Sequence, residues 1–353
     1  MVLPYKHRAP GGDVEEAKMT EVHMLREQLK GASAWTRDSL PANSWLLPLA
    51  PQALSELRDI GNELRRSPLP LFVLDPQDYE LSACVAMMDE VRQLIRCGPM
   101  FAVLDRLPME EFSREEATAM YWLLASVLSR PVAQKLNGQM FFDVRDTGAK
   151  MSPGSGIRPT VTNVDLRFHN DNSYNESPPD VVCLFCLHPA MSGGVSQLLS
   201  VSSVHNALLA DYPDLLPRLY RPFFYDRHAE HEPGEPRVFA APMFEYDGER
   251  LYARLALAEI RAGYALREQC LDDEGAAALA AVQEIFDRPQ MHIELDFQPG
   301  QIQFLNNRAT GHARTEFVDY PQAERQRHLV RLWLRDHGPR SYRGRALRAS
   351  ATA

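Results

Sequence analysis

The chain has no apolar run that approaches the roughly 18 residues a membrane span requires. Its opening, MVLPYKHRAPGGD, lacks the apolar stretch of a secretory signal. A cytoplasmic protein with no membrane partner is therefore expected. Cysteine is scarce: Cys84, Cys97, Cys183, Cys186 and Cys270 make an odd set of five in 353 residues. So sparse a set does not build a disulfide framework. Cys183 and Cys186 form a CxxC, but they lie in VVCLFCL, a continuous apolar run with the character of a buried strand. On a strand, positions i and i+3 face opposite sides, and no second CxxC completes a zinc set. Positive charge is in deficit too, with a formal net charge of −9. That disfavours non-specific binding to nucleic acid or to an anionic membrane surface. Internal repeats and low-complexity tracts are also missing.

What is present is an ordinary globular composition, 45% hydrophobic and 24% charged. The N-terminal part reads as helical. Residues 13–30 suit a charged helix before Gly31. Residues 51–66 open with Pro and carry Leu54, Leu57, Ile60 and Leu64 at helical spacing. Residues 77–97 and 114–129 suit two more helices, the latter with acids in its first turn. LPLFVL (69–74) and PMFAVL (99–104) suit strands between them. From about residue 138 short strand-like runs recur between turns: QMFFDV, VVCLFCL, GVSQLLS, MHIELDF, QIQFLNN and HLVRLWL. One late helix, residues 272–287, interrupts them. Many short strands punctuated by GG, PG and PP suggest a β-sandwich or barrel. A helical N-terminal part packed on a β-core is the expected organisation. The basic tail after Asp336 is expected to fray.

RFHNDNSYNESPPD, residues 167–180, sets His169 and Asp171 two positions apart. On a strand those positions share a face, so an imidazole and a carboxylate can aim at one point. They would be two ligands of an open metal site, with another His from far along the chain as the third. Two imidazoles and one carboxylate leave three of six octahedral positions free, which suits Fe(II) that must bind a co-substrate and dioxygen. Taken alone the triplet is weak, because a solvated polar loop carries it equally well. The far end strengthens it. In residues 301–336, His312 follows a strand-like run and NNRATG, and RHLVR brings Arg327 and Arg331. On a strand those arginines share a face. An arginine pointing into a β-core is costly unless it meets an anion, and its planar fork suits a carboxylate. Arg325 competes with Arg327 for that place if the strand register differs. His228 and His231, in RHAEHE, have metal-like spacing but sit in a charged, Pro- and Gly-bounded loop. His188, His205 and His328 have no partner pattern and read as structural.

In FHNDNSYNESPPDVVCLFCLHPAMSGGVSQLLSVSSVHNAL (168–208) and QFLNNRATGHARTEFVDYPQAERQRHLVRLWL (303–334) the sequence resembles the taurine dioxygenase and clavaminate synthase group of Fe(II)/2-oxoglutarate-dependent oxygenases. The resemblance continues more loosely from about residue 96, and the first 60 residues carry none of it. It implies an α+β fold with a mainly β core, a double-stranded β-helix (jelly roll) with a helical N-terminal extension and flanking helices. The corresponding division is residues 1–66 as extension, 67–336 as oxygenase domain and 337–353 as tail. His169, Asp171 and His312 would be the iron ligands. Arg327 would bind the distal carboxylate of 2-oxoglutarate, and Ser196, in SGGVS, would contact the same co-substrate. Arg331 matches a second arginine that meets the substrate or co-substrate in some members.

The implied reaction is hydroxylation of an unactivated C–H bond with release of succinate and CO2. Asp171 favours this over halogenation, since related halogenases lack the carboxylate. Desaturation, ring formation, or a cupin-like non-redox metalloenzyme remain alternatives; in the last, Arg327 and Ser196 would lose their purpose. Segments 148–165, 172–177 and 222–265 are candidate pocket walls. Their mix of Arg, Tyr, Asn and Glu suits a polar small molecule, such as an amino acid derivative or biosynthetic intermediate. A homo-oligomer stays open.

Overall fold

The computed structural model describes residues 23–150, 159–228, 230–231 and 234–342. Its centre is a seven-stranded sheet. The order is Leu46–Pro48, Phe101–Asp105, Ile302–Asn306, Val181–His188, His328–Arg335 and Arg130–Val132, and Phe142–Val144 also pairs with His328–Arg335. Only the first pair is parallel. A four-stranded antiparallel sheet runs His292–Leu295, Ser196–Ser200, Thr310–Arg314 and Leu166–His169. The strand-like runs from QMFFDV to HLVRLWL thus all find places in these two sheets.

Alternation along the strands sets two faces for each sheet. On His328–Arg335, Val330, Leu332 and Leu334 join the core shared with the N-terminal helices. Leu329 and Trp333 turn the other way. Cys183 and Cys186 part in the same manner, one into each core, as buried strand residues. Leu198 and Leu295 of the small sheet meet Val103, Val182, Leu305 and Trp333 of the large one in a single apolar cluster. The two sheets therefore face each other.

Helices cover the outer faces. Pro51–Arg66, Ser82–Cys97 and Arg114–Leu128 pack on the large sheet. The first starts with Pro at its first turn and ends with Arg65 and Arg66, which suit the helix dipole. The third begins with a reciprocal capping box between Ser113 and Glu116. Asp273–Phe286, close to the expected late helix, packs outside the small sheet together with Val201–Asp211 and Leu257–Leu266. Those last two were not read from the sequence. Val201–Asp211 is Ser-rich with a weak apolar pattern, and its start is fixed by the Ser200 hydroxyl accepting from the Ser203 N–H.

Three expectations need correction. LPLFVL is not a strand: Leu71–Val73 is a single 3-10 turn. Pro68 and Pro70 remove the N–H groups that a ladder would need, and Leu69, Phe72 and Val73 are all at least half exposed. Of the helix expected over 13–30, residues 13–22 lie outside the described residues and 23–30 form no helix. The tail does not fray at once either, since Tyr342 is buried and stacks on Trp333; residues 343–353 lie outside the described part. No described helix is long and apolar enough to cross a membrane.

Candidate metal centre

His169 ends its strand at the edge of the small sheet, and His312 lies directly across from it on the next strand. Their ring centroids are 4.2 Å apart. Asp171 follows in the turn after the strand. Two asparagines hold that turn. The Asn170 side-chain amide donates to the Thr310 carbonyl at 2.7 Å, and the Asp171 N–H donates to Asn307 Oδ1 at 2.8 Å. Asn307 in turn donates to the Asp171 carbonyl at 2.9 Å. Asn172 then takes a positive φ of 54° and turns the chain away; Asn tolerates that conformation better than most residues.

The three side chains converge. Asp171 Oδ1 lies 3.4 Å from His169 Nε2 and 3.6 Å from His312 Nε2. One ligand atom from each residue falls within 4.8 Å of the others. Among the described residues no other group of three His, Cys, Asp or Glu side chains is close enough to hold an ion. The His169 Nδ1 is 2.9 Å from the Arg167 carbonyl, which orients the ring and leaves Nε2 for the centre. Asp171 Oδ2 is already occupied, accepting from the Trp333 indole N–H at 2.7 Å and from Arg331 Nη1 at 3.1 Å. Arg331 is held in turn by Gln134, whose Oε1 accepts from Nε at 2.7 Å.

Burial alone would push the Asp171 carboxyl up. The Arg331 charge and the two imidazoles outweigh it and hold the group well below the usual carboxylate range. Burial and the neighbouring His169 push His312 down, toward the neutral form a metal requires. For His169 burial acts the same way, but its bond to Asp171 prevails and raises it. The fit to a divalent iron is good: two imidazoles and one carboxylate converge, with the second carboxylate oxygen tied away from the centre.

A cavity beside the centre is lined by His169, His312, Ser196, Gln303, Arg314, Arg327 and Arg331, among others. Arg327 is 3% exposed, and its Nη1 is buried without a hydrogen-bond partner. Burial lowers its guanidinium to about 10, and among the described residues no carboxylate comes within ion-pair range of it. SGGVS explains how the arginine gets there. Gly194 has φ of 69°, and a Cβ on it would stand 3.0 Å from Arg327 Nε. Gly193 also has positive φ, and a Cβ there would meet the Glu316 carbonyl at 2.2 Å. Arg325, the sequence competitor, stacks on Tyr320 outside the cavity. His228 joins Glu259 at 2.9 Å rather than a metal group. His205 is buried against Tyr220, and His328 bonds Asp143.

The model of the taurine catabolism dioxygenase TauD, TfdA family matches residues 68–333. The chain belongs to this family. It is therefore an iron(II)- and 2-oxoglutarate-dependent oxygenase. FR-33289 synthase of Streptomyces rubellomurinus (strain ATCC 31215) is 26% identical over 325 residues, covering 91% of this chain and 94% of that protein. A solved asparagine oxygenase, in complex with Fe(II), 2S,3S-3-hydroxyasparagine and succinate, superposes with a TM-score of 0.61 at 21% identity, over 83% of this chain and 94% of that one. The non-heme iron oxygenase OrfP, in complex with Fe and alpha-ketoglutaric acid, gives 0.59 at 15% identity over the same shares. These two likenesses show a common fold. Three residues at the site escaped sequence reasoning: Trp333, Gln134 and Gln303. Only Gln303 left a mark in the sequence, as a polar residue inside the apolar run IQFL.

Proposed function

We propose that His169, Asp171 and His312 hold the iron(II) of a hydroxylase acting on a polar small molecule of amino acid or amino-acid-derived type. With iron(II), 2-oxoglutarate and dioxygen bound, the group supplies oxidation of a C–H bond with release of succinate and CO2. The chain supplies the geometry. Trp333 and Arg331 occupy Asp171 Oδ2, so the carboxylate offers one oxygen and leaves open positions at the metal. Arg331 is thus read as the partner of Asp171 before any co-substrate or substrate. The observation that carries the co-substrate reading is the buried Arg327 guanidinium, which lines the cavity beside the centre and whose Nη1 has no hydrogen-bond partner. A charged group so buried calls for an anion. The far carboxylate of 2-oxoglutarate meets that need, with the Ser196 hydroxyl alongside.

The amino acid class is supported by the hydroxylated amino acids in complex in the related structures, 2S,3S-3-hydroxyasparagine and, for OrfP, (3S)-hydroxy-L-Arg. We read the facing seven- and four-stranded sheets as the double-stranded β-helix, within residues 67–336. Residues 1–66 would be the extension, and 337–353 a tail that starts by packing on the domain through Tyr342. A cytoplasmic enzyme with a small-molecule partner, and none of nucleic acid or membrane, fits the charge. The test is anaerobic addition of Fe(II) and 2-oxoglutarate to the purified protein. A visible charge-transfer band that disappears in Asp171→Ala supports the reading. Iron binding without the band removes the co-substrate roles of Arg327 and Ser196 and brings the cupin-like alternative forward.

A further inference from the structure

Gln303 is the second residue of the Ile302–Asn306 strand, on the face that looks across to the small sheet. Its neighbours in register are Val103 on one side and Leu184 on the other, and two residues on, Leu305 joins the apolar cluster between the sheets. Every strand contact around it would be satisfied by a leucine. Instead an amide is held there at 1% exposure, and its Nε2 is buried with no hydrogen-bond partner. A buried donor without an acceptor is rare and destabilising, so it needs a reason.

The cavity supplies one. Gln303 lines it together with Ser196 and Arg327. Arg327 Nη1 is another buried donor there without an acceptor, as is Arg314 Nε. The three residues come from three different segments: the Ser196–Ser200 strand, the Ile302–Asn306 strand and the residue before His328–Arg335. The orphan donors of Gln303 and Arg327 and a hydroxyl at one cavity match a ligand with several acceptor sites on one group. An ionised carboxylate offers about four lone-pair sites and no donor.

We propose that Gln303 donates its side-chain N–H to the far carboxylate of 2-oxoglutarate, beside Arg327, and so helps select a dicarboxylic 2-oxo acid. This rests on the reading of the cavity as the co-substrate's. Arg327 supplies charge, and Gln303 supplies direction from Ile302–Asn306, which Val181–His188 separates from His328–Arg335 in the same sheet. Leucine in its place keeps volume and removes the donor. Glutamate keeps shape and sets a like charge against the ligand.

The test is equilibrium binding of 2-oxoglutarate to the anaerobic Fe(II) protein, followed through the visible band, for wild type, Gln303→Leu and Gln303→Glu. The same titration is run with 2-oxovalerate, which has the same carbon chain without the far carboxylate. Iron affinity and thermal midpoint are measured alongside. Gln303→Leu should weaken 2-oxoglutarate by about ten- to a hundredfold, as for a lost bond to a charged group, with iron affinity unchanged. Gln303→Glu should weaken it further. Neither change should move 2-oxovalerate. Equal weakening of both acids, or unchanged 2-oxoglutarate affinity, would overturn the proposal. A wild-type protein that binds iron but gives no band with 2-oxoglutarate defeats the underlying reading instead, and the two failures are told apart.

Discussion

Two cavities lie on opposite faces of the same two strands. The outer one, of about 550 Å³, takes Val330 from His328–Arg335 and Asp143 from Phe142–Val144. The inner one takes Leu329 and Arg331 from the first and Val144 from the second. The outer cavity is by far the larger and is walled by Leu64, Leu69, Phe72, Ala119 and Phe141. Four of the charged residues on its lining pair with one another: Arg65 with Glu116 at 2.5 Å, and Arg114 with Asp143 at 3.7 Å. The inner cavity is small, yet it holds a buried arginine with no carboxylate and an amide donor with no acceptor. Volume ranks the outer cavity first. Unmet buried polarity ranks the inner one first, and only there do a carboxylate and two imidazoles converge. A cavity whose polar groups already satisfy one another asks for nothing. One with buried donors left over is shaped for a ligand.

The sharpest way to break this contrast is to remove a converging side chain. Asp171→Ala or His312→Ala should leave no stoichiometric iron and no detectable turnover, read by metal analysis and succinate release. Full iron content in both variants would show that the convergence is not a metal centre. Next in size is the buried cation. Arg327→Leu should weaken 2-oxoglutarate by about a hundredfold or more, the order expected when a buried charge loses its partner. Arg325→Leu, outside the cavity, should leave the same binding curve in place. If Arg325→Leu has the larger effect, the register that puts Arg327 inside is not the one that works. A smaller step concerns Trp333. Trp333→Phe deletes the indole bond to Asp171 Oδ2 and should lower iron affinity by about tenfold, in the range for groups that orient metal ligands. An unchanged iron titration curve would mean that Arg331 alone fixes the carboxylate.

The inner cavity was legible in the sequence to the extent that its residues carry unusual chemistry for their setting. His169 and Asp171 announce themselves by alternation, His312 by following a strand-like run and NNRATG, and Arg327 by sharing a strand face with Arg331. GG in SGGVS marks a turn. Trp333 was invisible because an indole in a strand reads as packing, and nothing in RLWL tells which way its N–H points. Gln134 and Arg331 form their bond only once distant strands are side by side. Arg331 drew notice as a cation, but the sequence does not say that its partner is Asp171, one of the three converging side chains. The segment that walls the outer cavity was misread for the opposite reason. LPLFVL is apolar enough for a strand, but Pro68 and Pro70 leave it without ladder donors, and it became a turn that covers the helices instead.

That turn offers the mildest and most decisive comparison. Phe72 is 59% exposed, yet its ring meets Trp122 and Phe141 at 5.5 and 5.7 Å between centroids. Phe72→Ala removes those edge and tilted contacts and opens the outer cavity further. It should cost about 1 kcal/mol of stability, the scale of an aromatic pair, seen as a small fall in thermal or denaturant midpoint. Iron affinity, 2-oxoglutarate affinity and turnover should be unchanged, because the large sheet stands between Phe72 and the metal centre. If turnover falls while stability moves by no more than this, the two faces of the sheet are coupled. The outer cavity would then belong to the working enzyme after all, and pairing of its rim charges would no longer be grounds for setting it aside.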